Sequence, residues 1–465
     1  MTEERAIERA EDEGREDEDF ALDHALVERI VAAADDGDAD LLKTLMAPLH
    51  AADIADLLEQ VSAAERREIL LLWGSEMDGE VLSELDESIR EEVIATLPKH
   101  VLAEAVREMD SDDVVDLIED LEEPQQEAIL DALDDSDRAA VEQSLAYPEY
   151  SAGRLMQREV VTAPEHWTVG ETIDFLRRDQ ELPDQFYHVI LVDAGHHPLG
   201  YVTLGKLLAQ RRDMPLKEIT EDSFRTISAT QPEADVAYAF NQYHLISAPV
   251  VDDDGRLVGV ITIDDAMAVL DDEHEEDILR LAGVGDESSI SDTVLETVRQ
   301  RLPWLAVNLC TALAAASIIS LFEASISQIV ALAVLMPIVA SMGGNAGTQT
   351  LTVAVRALAT KNLTESNVWR VIRREALVGL LNGATFAVVL GFVAAFWFSM
   401  PELGLVIAAA MVINLCVAAL GGIIVPVTLE KLGADPALAS GTFVTTMTDM
   451  VGFFAFLGLA TLVLL

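Results

Sequence analysis

The stretch from Pro436 to Leu465, PALASGTFVTTMTDMVGFFAFLGLATLVLL, is apolar over a length sufficient to cross a membrane, and it contains one ionisable side chain, Asp449. A carboxylate at the centre of a bilayer costs about 2.5–3.5 kcal/mol on insertion scales, so it persists only where it faces protein, water or a cation. An Arg or Lys in the bundle would be an alternative partner, but the basic residues after position 300 fall at segment ends or in loops. We therefore interpret Asp449 as a cation ligand.

Four further apolar spans precede this one. The five predicted spans cover residues 303–322, 328–359, 374–398, 403–429 and 437–465, each long enough to cross a bilayer as a helix. Basic residues cluster around the loop between the second and third spans: Arg356, Lys361, Arg370, Arg373 and Arg374. The positive charge assigns that loop to the cytoplasm. This orientation also places the N-terminal half in the cytoplasm and the C-terminus outside.

The second span contains MPIVASMGGNAGTQT at residues 336–350. A proline and three glycines in a membrane helix are expected to free backbone groups, which neighbouring protein or a wet cavity must satisfy. Asn345 and Gln349 lie four residues apart on one helical face and offer neutral oxygens. The span is therefore a second candidate wall for a polar path. For the lone Asn382 and Asn414 in other spans we prefer interhelical hydrogen bonds.

The charge of the chain is concentrated in its first 300 residues. Thirty Lys and Arg against 82 Asp and Glu give a net charge of -52, and the residues after 300 carry seven of each sign. Such an acidic soluble half repels nucleic acid and attracts cations. Acid excess with only six Lys also resembles the surface of proteins from salt-loving organisms, which competes with any ligand role for a given carboxylate. The acidic N-terminus lacks the features of a signal peptide, so we expect the soluble half of the chain to stay in the cytoplasm.

The N-terminal part is predicted to be helical after an acidic tail. Residues 1–19 contain almost nothing apolar, and we expect them to be disordered. From 20 to 150, short apolar bursts at helical spacing follow capping residues such as Asp53 and Ser62 and predict a stack of short helices that resembles an α-solenoid. We interpret the carboxylates at 110–113 as helix caps, with cation binding as the less favoured alternative.

Residues 151–270 repeat internally. The strings YHVILVD at 187–193 and GYVT at 200–203 recur as ISAPVVDDDG at 246–255 and GVIT at 259–262. The copies, about 151–212 and 213–270, each have the order helix, strand, turn, strand, helix. They resemble a tandem CBS module, which is an α/β fold.

The CBS resemblance implies a nucleotide site. In such modules a Gly, a Thr and an Asp can hold a nucleotide ribose, and the second copy retains them as Gly259, Thr262 and Asp265. The first copy has Lys206 in the Asp position. ATP or another adenine nucleotide is the implied ligand of the second copy, and a purely structural strand-to-helix turn is the alternative.

An acidic segment at 264–299 links this module to the apolar spans. It has a helical apolar stripe interrupted near Gly283 and Gly285, and residues 271–277 hold six carboxylates. Like charges one helical turn apart repel each other, and no basic residue compensates them before Arg280. Neutralisation by a divalent ion and a solvated linker face are equal alternatives here.

Four strings in order resemble the MgtE family of magnesium channels or transporters. They are RLPWL at 301–305, the 337–350 segment with its Gly-Gly-Asn, LGADPA at 432–437, and TTMTD at 445–449 followed by GFF at 452–454. The resemblance runs from about residue 45 to the C-terminus. It implies a multidomain protein with four ordered parts: an all-α superhelical N domain (20–150), an α/β tandem CBS module (151–270), a long acidic connecting or plug helix (271–300), and an all-α transmembrane domain of five helices (301–465).

The resemblance also implies a set of Mg²⁺ ligands at matching positions: Asp449, Asn345, Glu273, Glu276, Asp277 and Asp435. Asp449 would be the pore carboxylate, with one copy from each protomer of a homodimer, and Asn345 would line the same pore. Asp435 would meet the plug helix through Mg²⁺ at the cytoplasmic mouth.

These observations predict a Mg²⁺-selective channel or transporter of the plasma membrane, which mediates uptake and closes when cytosolic Mg²⁺ binds the N domain, CBS domains and plug helix. Mg²⁺ prefers octahedral oxygen coordination and dehydrates reluctantly, which suits a facing pair of carboxylates. A membrane hydrolase is disfavoured, because no His accompanies Asp449 after residue 300. We expect no enzyme activity. The alternatives are a Mg²⁺ or nucleotide sensor without transport, and a transporter of broader specificity that includes Co²⁺ and Mn²⁺.

Overall fold

The computed structural model describes residues 22–119, 121, 123–178, 182–183, 185–221, 224–284, 288, 293–439 and 441–465. The acidic tail at 1–19 and Gly285 lie outside these residues. The chain divides after Leu270 into two compact units.

The first unit begins with a stack of short helices around one hydrophobic core. Their bounds are α1 His24–Asp35, α2 Ala39–Met46, α3 Ala51–Gln60, α4 Ala63–Trp73, α5 Gly79–Ser83, α6 Glu87–Thr96, α7 Lys99–Glu108, α8 Ser111–Glu119, α9 Glu123–Leu130 and α10 Asp135–Ser144. Ser62 caps α4 as predicted, since Ser62 and Glu65 exchange hydrogen bonds between backbone and side chain. Asp53 does not cap α3: His50 is the cap, and Asp53 accepts its backbone N–H from the third helical position.

Two buried arginines reveal a repeat within the stack. Arg66 donates to the carbonyl of Val61 and to the carboxylate of Glu92. Arg90 donates in the same way to the carbonyl of Leu85 and to the carboxylate of Asp116, so these two partners and the arginine are displaced by 24 residues (66 to 90, 61 to 85, 92 to 116). A structural unit that repeats along the chain and contacts its neighbours is typical of a solenoid.

Two small sheets follow in the first unit. The elements are α11 Ala152–Leu155, β1 Thr162–Pro164, α12 Val169–Leu176, β2 His188–Val192, β3 Pro198–Thr203, α13 Leu204–Ala209, β4 Ile227–Ser228, α14 Glu233–Tyr243, β5 Ser247–Val251 and β6 Leu257–Thr262. In each sheet the first strand pairs parallel with the second, and the second pairs antiparallel with the third. Ile190 opposes Tyr201 in one sheet as Pro249 opposes Val260 in the other. The shared register confirms the internal repeat.

Helix α15, Ile263–Ala282, continues from β6 and carries the acidic stretch. It ends at Gly283, whose φ of +73° is a left-handed backbone conformation that glycine adopts without steric cost. The predicted interruption near Gly283 is therefore present.

The second unit contains five helices among its described residues that are long and apolar enough to span a membrane: α16 Val294–Ser320, α18 Ala331–Ala359, α19 Val368–Phe398, α20 Pro401–Lys431 and α21 Gly441–Leu464. The short helix α17, Glu323–Gln328, joins the first two. Helix α16 begins at Val294 rather than at 303, because Thr293 and Glu296 form a capping box ahead of the apolar stretch. The five predicted spans are confirmed, with shifted ends.

Helices α18, α20 and α21 pack on one another, α19 packs on α20, and α16 packs on α21. Helix α18 runs unbroken through Pro337 and the Gly-Gly-Asn string. One of its backbone carbonyls, that of Val339, accepts a hydrogen bond from Asn414 on α20, so neighbouring protein satisfies a backbone group of this segment, as expected. Its glycines provide a flat surface on which the neighbouring helices pack closely.

Candidate cation and nucleotide sites

Helices α18 and α21 meet at glycines. A Cβ added to Gly344 would stand 3.2 Å from Cγ2 of Thr445, and one added to Gly441 would stand 3.6 Å from Oγ1 of Thr348. Residue numbers rise along one helix as they fall along the other, so the two helices run antiparallel. Because each contact sets a glycine, which has no side chain, against a small threonine side chain, the helix axes approach closely.

Asn414 of α20 touches both helices at one level. A Cβ on Gly343 would stand 2.3 Å from Nδ2 of Asn414, and one on Gly452 would stand 2.8 Å from the same atom. Asn345 lies two residues after Gly343, and Asp449 lies three residues before Gly452. At about 1.5 Å of rise per residue, both are displaced from the Asn414 level by about 3–5 Å in the same direction. Asn345 and Asp449 therefore each lie within about one helical turn of the level at which Asn414 contacts the two helices.

Both side chains open on the surface of the single chain. Asn345 is exposed, and its Nδ2 reaches Oγ of Ser341 at 3.5 Å. Asp449 is half-buried and has no basic partner in the part of the chain that the structure describes. The hydroxyl of Thr446 donates to the carbonyl of Thr442 on its own helix, which leaves its oxygen lone pairs available, whereas Thr448 is completely buried. The surface thus combines carboxylate, carboxamide and hydroxyl oxygens, which are suitable ligands for a hard cation.

The C-terminal end of α15 contacts the membrane helices of the second unit. Nη1 of Arg280 donates to Glu276 at 2.8 Å and to Oδ2 of Asp435 at 2.6 Å. The other oxygen of Asp435 accepts the N–H of Ala437 at 2.7 Å. The next residue of α15, Leu281, packs against a cluster at the ends of α18 and α21: Leu351, Val355, Ala437 and Val444. The structure thus brings Asp435 to the connecting helix, with a guanidinium between the two carboxylates.

Glu273 and Asp277 on the same helix receive no hydrogen bond or ion pair from the described residues. Burial raises the pKa of both carboxyls, Asp277 further raises the pKa of Glu273, and Asp435 further raises the pKa of Asp277. Arg280 acts in the opposite direction on both and does not offset these effects. An additional cation near Glu273 and Asp277 would reduce the repulsion between their negative charges. Nevertheless, no three His, Cys, Asp or Glu side chains of the described chain converge on a point that could hold a metal ion.

A second acidic group, in the first unit, was missed from the sequence. Asp112 is buried in the first turn of α8 beside Asp113, and both interact with Asp265. Burial, followed by the charge of Asp265, raises the pKa of Asp112 well above its usual range and that of Asp113 to about 7. Burial also raises the pKa of Asp265 to about 6, although Thr262 donates to it. The interpretation of the 110–113 carboxylates as simple caps is therefore incomplete.

A narrow cleft lies beside β2, β5 and β6. The polar and aromatic residues that line it are Gln157, Glu159, Phe186, Tyr187, His188, Ser247 and Thr262. Nδ1 of His188 forms a short contact with Oγ of Ser247. Of the three predicted nucleotide residues, Thr262 lines this cleft, whereas Asp265 joins the acidic group. Gly259 serves packing, since a Cβ there would stand 2.7 Å from the carbonyl of Gln157.

The two copies of the repeat carry opposite charges at the start of the helix that follows the third strand of each sheet. Lys206 of the first copy corresponds to Asp265 of the second, 59 residues later in the sequence. Nζ of Lys206 pairs with Glu221 at 2.8 Å, at the start of the helix that follows β3. The first copy therefore neutralises a carboxylate with its own cation, whereas the second adds a carboxylate to a group that already has several.

Three family models match the chain. The model described as a divalent cation transporter matches residues 336–459, the model of the MgtE intracellular N domain matches 49–150, and the CBS domain model matches 152–213 and 216–272. These matches, with two small sheets and a mostly helical remainder, confirm the fold class predicted from the sequence.

Full-length relatives agree with the family models. The magnesium transporter MgtE of Thermus thermophilus is 32% identical over 453 residues, which cover 95% of this chain and 99% of that protein. The magnesium transporter MgtE of Enterococcus faecalis is 34% identical over 322 residues, covering 69% and 71% respectively. A crystal structure of the cytosolic domain of the Mg²⁺ channel MgtE in complex with ATP is 30% identical, with a TM-score of 0.49, and covers 52% of this chain and 99% of that one.

The acidic group predicts that the metal-free protein loses thermal stability as the pH rises. Carboxyls whose pKa is raised on folding bind protons more tightly in the folded state than in the unfolded state. Their stabilisation is therefore complete below the ordinary pKa near 4 and is lost as the pH rises towards about 7. In detergent with a chelator, Tm should fall by several degrees between pH 5 and pH 8, and millimolar Mg²⁺ at pH 8 should restore it.

The Asp113→Asn variant should flatten this dependence, because it removes one of the shifted groups. Glu104→Gln, an exposed carboxylate on α7, is the matched control and should keep the slope of the parent. Equal slopes for the parent and Asp113→Asn would contradict the assignment.

Proposed function

Because the chain belongs to the MgtE family of magnesium transporters, we propose that it takes up Mg²⁺ along a path lined by α18 and α21, and that cytosolic Mg²⁺ closes this path. It is a transporter rather than an enzyme. The observation that carries the proposal is that Asn345 and Asp449 each lie within about one helical turn of the Asn414 contacts, on two closely packed antiparallel helices. An ion held there by oxygen ligands can keep much of its hydration shell, which matches the reluctance of Mg²⁺ to dehydrate.

A second copy of the chain completes the path. Asp449 and Asn345 lie on the surface of a unit whose other exposed residues are largely apolar, so in a monomer they would face lipid. The cost of a carboxylate at that depth is about 2.5–3.5 kcal/mol, and a facing copy removes it by enclosing water and ions. A homodimer in which two Asp449 side chains face each other would also double the negative charge available to one divalent cation.

The orientation of the protein follows from its charges. The N-terminal domains of this multi-pass membrane protein are cytosolic, and the basic residues around Lys361 lie between the second and third membrane helices, on the same side by the positive-inside rule. Five crossings then take α21 outwards from Asp435, and the C-terminus lies outside. In this orientation Asp435 and Arg280 lie at the cytoplasmic mouth of the path, in the plasma membrane.

Closure would depend on the carboxylates that α15 carries to this mouth. Arg280 already bridges Glu276 and Asp435, whereas Glu273 and Asp277 have raised pKa values and no partner in the described chain. Mg²⁺ bound between these carboxylates would stabilise the seated position of α15 more than any displaced position. An ion that binds one of two states more tightly shifts the equilibrium towards that state.

The acidic group of the first unit would respond to the same ion. Asp112, Asp113 and Asp265 are held together by the fold although their charges repel, as their raised pKa values indicate. Cytosolic Mg²⁺ would neutralise them and stabilise the contact between α8 and the start of α15. The N domain and CBS domains would thus sense the ion that the membrane helices transport.

The cleft beside β2 and β5 is the place for an adenine nucleotide. Tyr187 and Phe186 offer aromatic faces to a base, and Thr262, Ser247 and Glu159 offer polar atoms to a ribose. The cleft is narrow and the contact between His188 and Ser247 crosses its wall, so a nucleotide would have to separate these two side chains. Asp265 already accepts the backbone N–H of Thr262, which lines the cleft, so a ribose bound to Asp265 would also perturb the acidic group and couple nucleotide binding to Mg²⁺ binding.

Uptake of Mg²⁺ into liposomes tests the path. Asp449→Asn keeps the side-chain volume and removes the charge, and it should lower Mg²⁺ uptake by about tenfold or more, because a charge-assisted contact is worth about 1.5–3 kcal/mol. Glu402→Gln is the control: it removes a carboxylate from the first turn of α20 and should retain the uptake of the parent. A protein that moves no ion would be a sensor, and equal uptake of Co²⁺ and Mn²⁺ would indicate broader specificity.

Closure is tested by uptake measured against internal Mg²⁺. Replacing Glu273, Glu276 and Asp277 together by Ala should move the inhibition midpoint to higher Mg²⁺, because the bridging ligands are lost. The matched control replaces Asp271, Asp272 and Glu275 by Ala, which removes the same charge from the same helix. If both triple variants shift the midpoint equally, the effect is one of surface charge and the bridging role is wrong.

Nucleotide binding is tested by titration of the full chain in detergent with ATP. Tyr187→Ala should weaken binding about tenfold, since stacking on an aromatic ring is worth about 1–3 kcal/mol per base. Tyr243→Ala removes an exposed ring outside the cleft and should have no effect. ATP affinity that is unchanged in Tyr187→Ala, or absent in the parent, would remove the cleft from the proposal.

A further inference from the structure

A buried carboxamide lies in the centre of the membrane helices. Asn414 of α20 is completely buried, and its Nδ2 donates to the carbonyl of Val339 on α18 at 2.8 Å, which confirms the expected interhelical hydrogen bond. Its Oδ1 receives no hydrogen bond from any described residue. An unpaired buried acceptor is destabilising, and an apolar residue at this position would avoid that cost. The presence of Asn414 therefore needs an explanation other than stability.

The carboxamide separates two backbones. Both Gly343 of α18 and Gly452 of α21 lie so close to it that an added Cβ would stand 2.3 Å and 2.8 Å from Nδ2, respectively. Neither glycine position has room for a side chain while Asn414 is present. The thickness of this planar group consequently limits how closely α18 and α21 approach at this level.

Oδ1 is not itself placed to bind a transported ion. A Cβ on Gly343 would stand 3.1 Å from it and one on Gly452 would stand 3.2 Å from it, so the oxygen is enclosed between the helices. Asn345 and Asp449, in contrast, open on the surface. Asn414 thus acts behind the path and not within it.

We propose that Asn414 is a positioning residue that sets the distance between α18 and α21 at the level of Asn345 and Asp449, and thereby the selectivity of transport. The inference rests on the proposed path along these two helices. Both candidate ligands lie within one helical turn of the glycines that Asn414 contacts, so a change in spacing there moves both. Mg²⁺ requires near-ideal octahedral geometry, whereas Ca²⁺ accepts variable geometry, so a change in spacing affects Mg²⁺ more.

A double-mutant cycle with Gly343 tests the contact. Gly343→Ala places a methyl group against Nδ2 of Asn414 and should lower Mg²⁺ uptake into liposomes about tenfold through overpacking. Asn414→Ala removes the obstructing group, so the Gly343→Ala/Asn414→Ala double variant should recover uptake to within about threefold of the parent. Gly391→Ala is the matched control, because its Cβ would stand 2.9 Å from the carbonyl of Gly404, away from Asn414. Asn414→Ala should not rescue it.

Selectivity separates positioning from mere stabilisation. Asn414→Ala alone should lower the ratio of Mg²⁺ uptake to Ca²⁺ uptake severalfold, whereas loss of folded protein would lower both uptakes and leave the ratio unchanged. The proposal is overturned if the double variant transports no better than Gly343→Ala, or if Asn414→Ala keeps the uptake and the ratio of the parent.

Uptake by Asp449→Asn in the same vesicles distinguishes failure of the positioning role of Asn414 from failure of the proposed path. If Asp449→Asn impairs uptake while the Asn414 cycle shows no coupling, only the positioning role fails. If Asp449→Asn transports as the parent does, the path is wrong and the positioning role fails with it.

Discussion

An ionised carboxylate is poorly tolerated by hydrocarbon, and the arrangement of the membrane helices follows from this constraint. Asp449 has no basic partner in the described chain, so its charge requires water, a cation or another protein surface. The glycines of α18 let α21 approach closely, and Asn345 and Asp449 each lie within about one helical turn of the level at which Asn414 contacts both helices. Helix α20, the most deeply buried of the five, supports both from behind through Asn414.

Several features could be predicted from the sequence because they depend on local chemistry or on long periodic patterns. The five spans follow from continuous apolar runs, and the two small sheets follow from a repeat that recurs after 59 residues with the same register. Ser62 could be recognised as a cap from its spacing to Glu65. Asp449 stood out because a membrane span with a single charge is unusual. Each of these signals lies within one segment of the chain.

Other features could not be predicted because they depend on which segments meet. The carboxylates at 110–113 follow the pattern of ordinary helix caps, and only the fold reveals that Asp112 is buried against Asp265. Arg280 lies among many acidic residues in the sequence, and its contact with Asp435 joins positions 155 residues apart. Asn414 was interpreted as a hydrogen-bonding residue, but its contacts with Gly343 and Gly452 involve three helices. The acidic composition made functional carboxylates harder to recognise from the sequence, since most carboxylates in such a chain face solvent.

The two copies of the repeat carry opposite charges at one pair of corresponding positions, Lys206 and Asp265. The first copy supplies a permanent cation, because Lys206 is part of the chain, and it pairs with Glu221 whatever the composition of the cytosol. At the corresponding position, the second copy has Asp265 among other carboxylates, and its proposed counter-ion is Mg²⁺ from the cytosol. The Lys206 cation makes the first copy insensitive to the cytosolic ion concentration. A counter-ion taken from the cytosol would make the second copy depend on that concentration. Under the proposed closure by Mg²⁺, duplication followed by a change of sign at this position would turn a symmetric scaffold into one with a constant half and a half that responds to ion concentration.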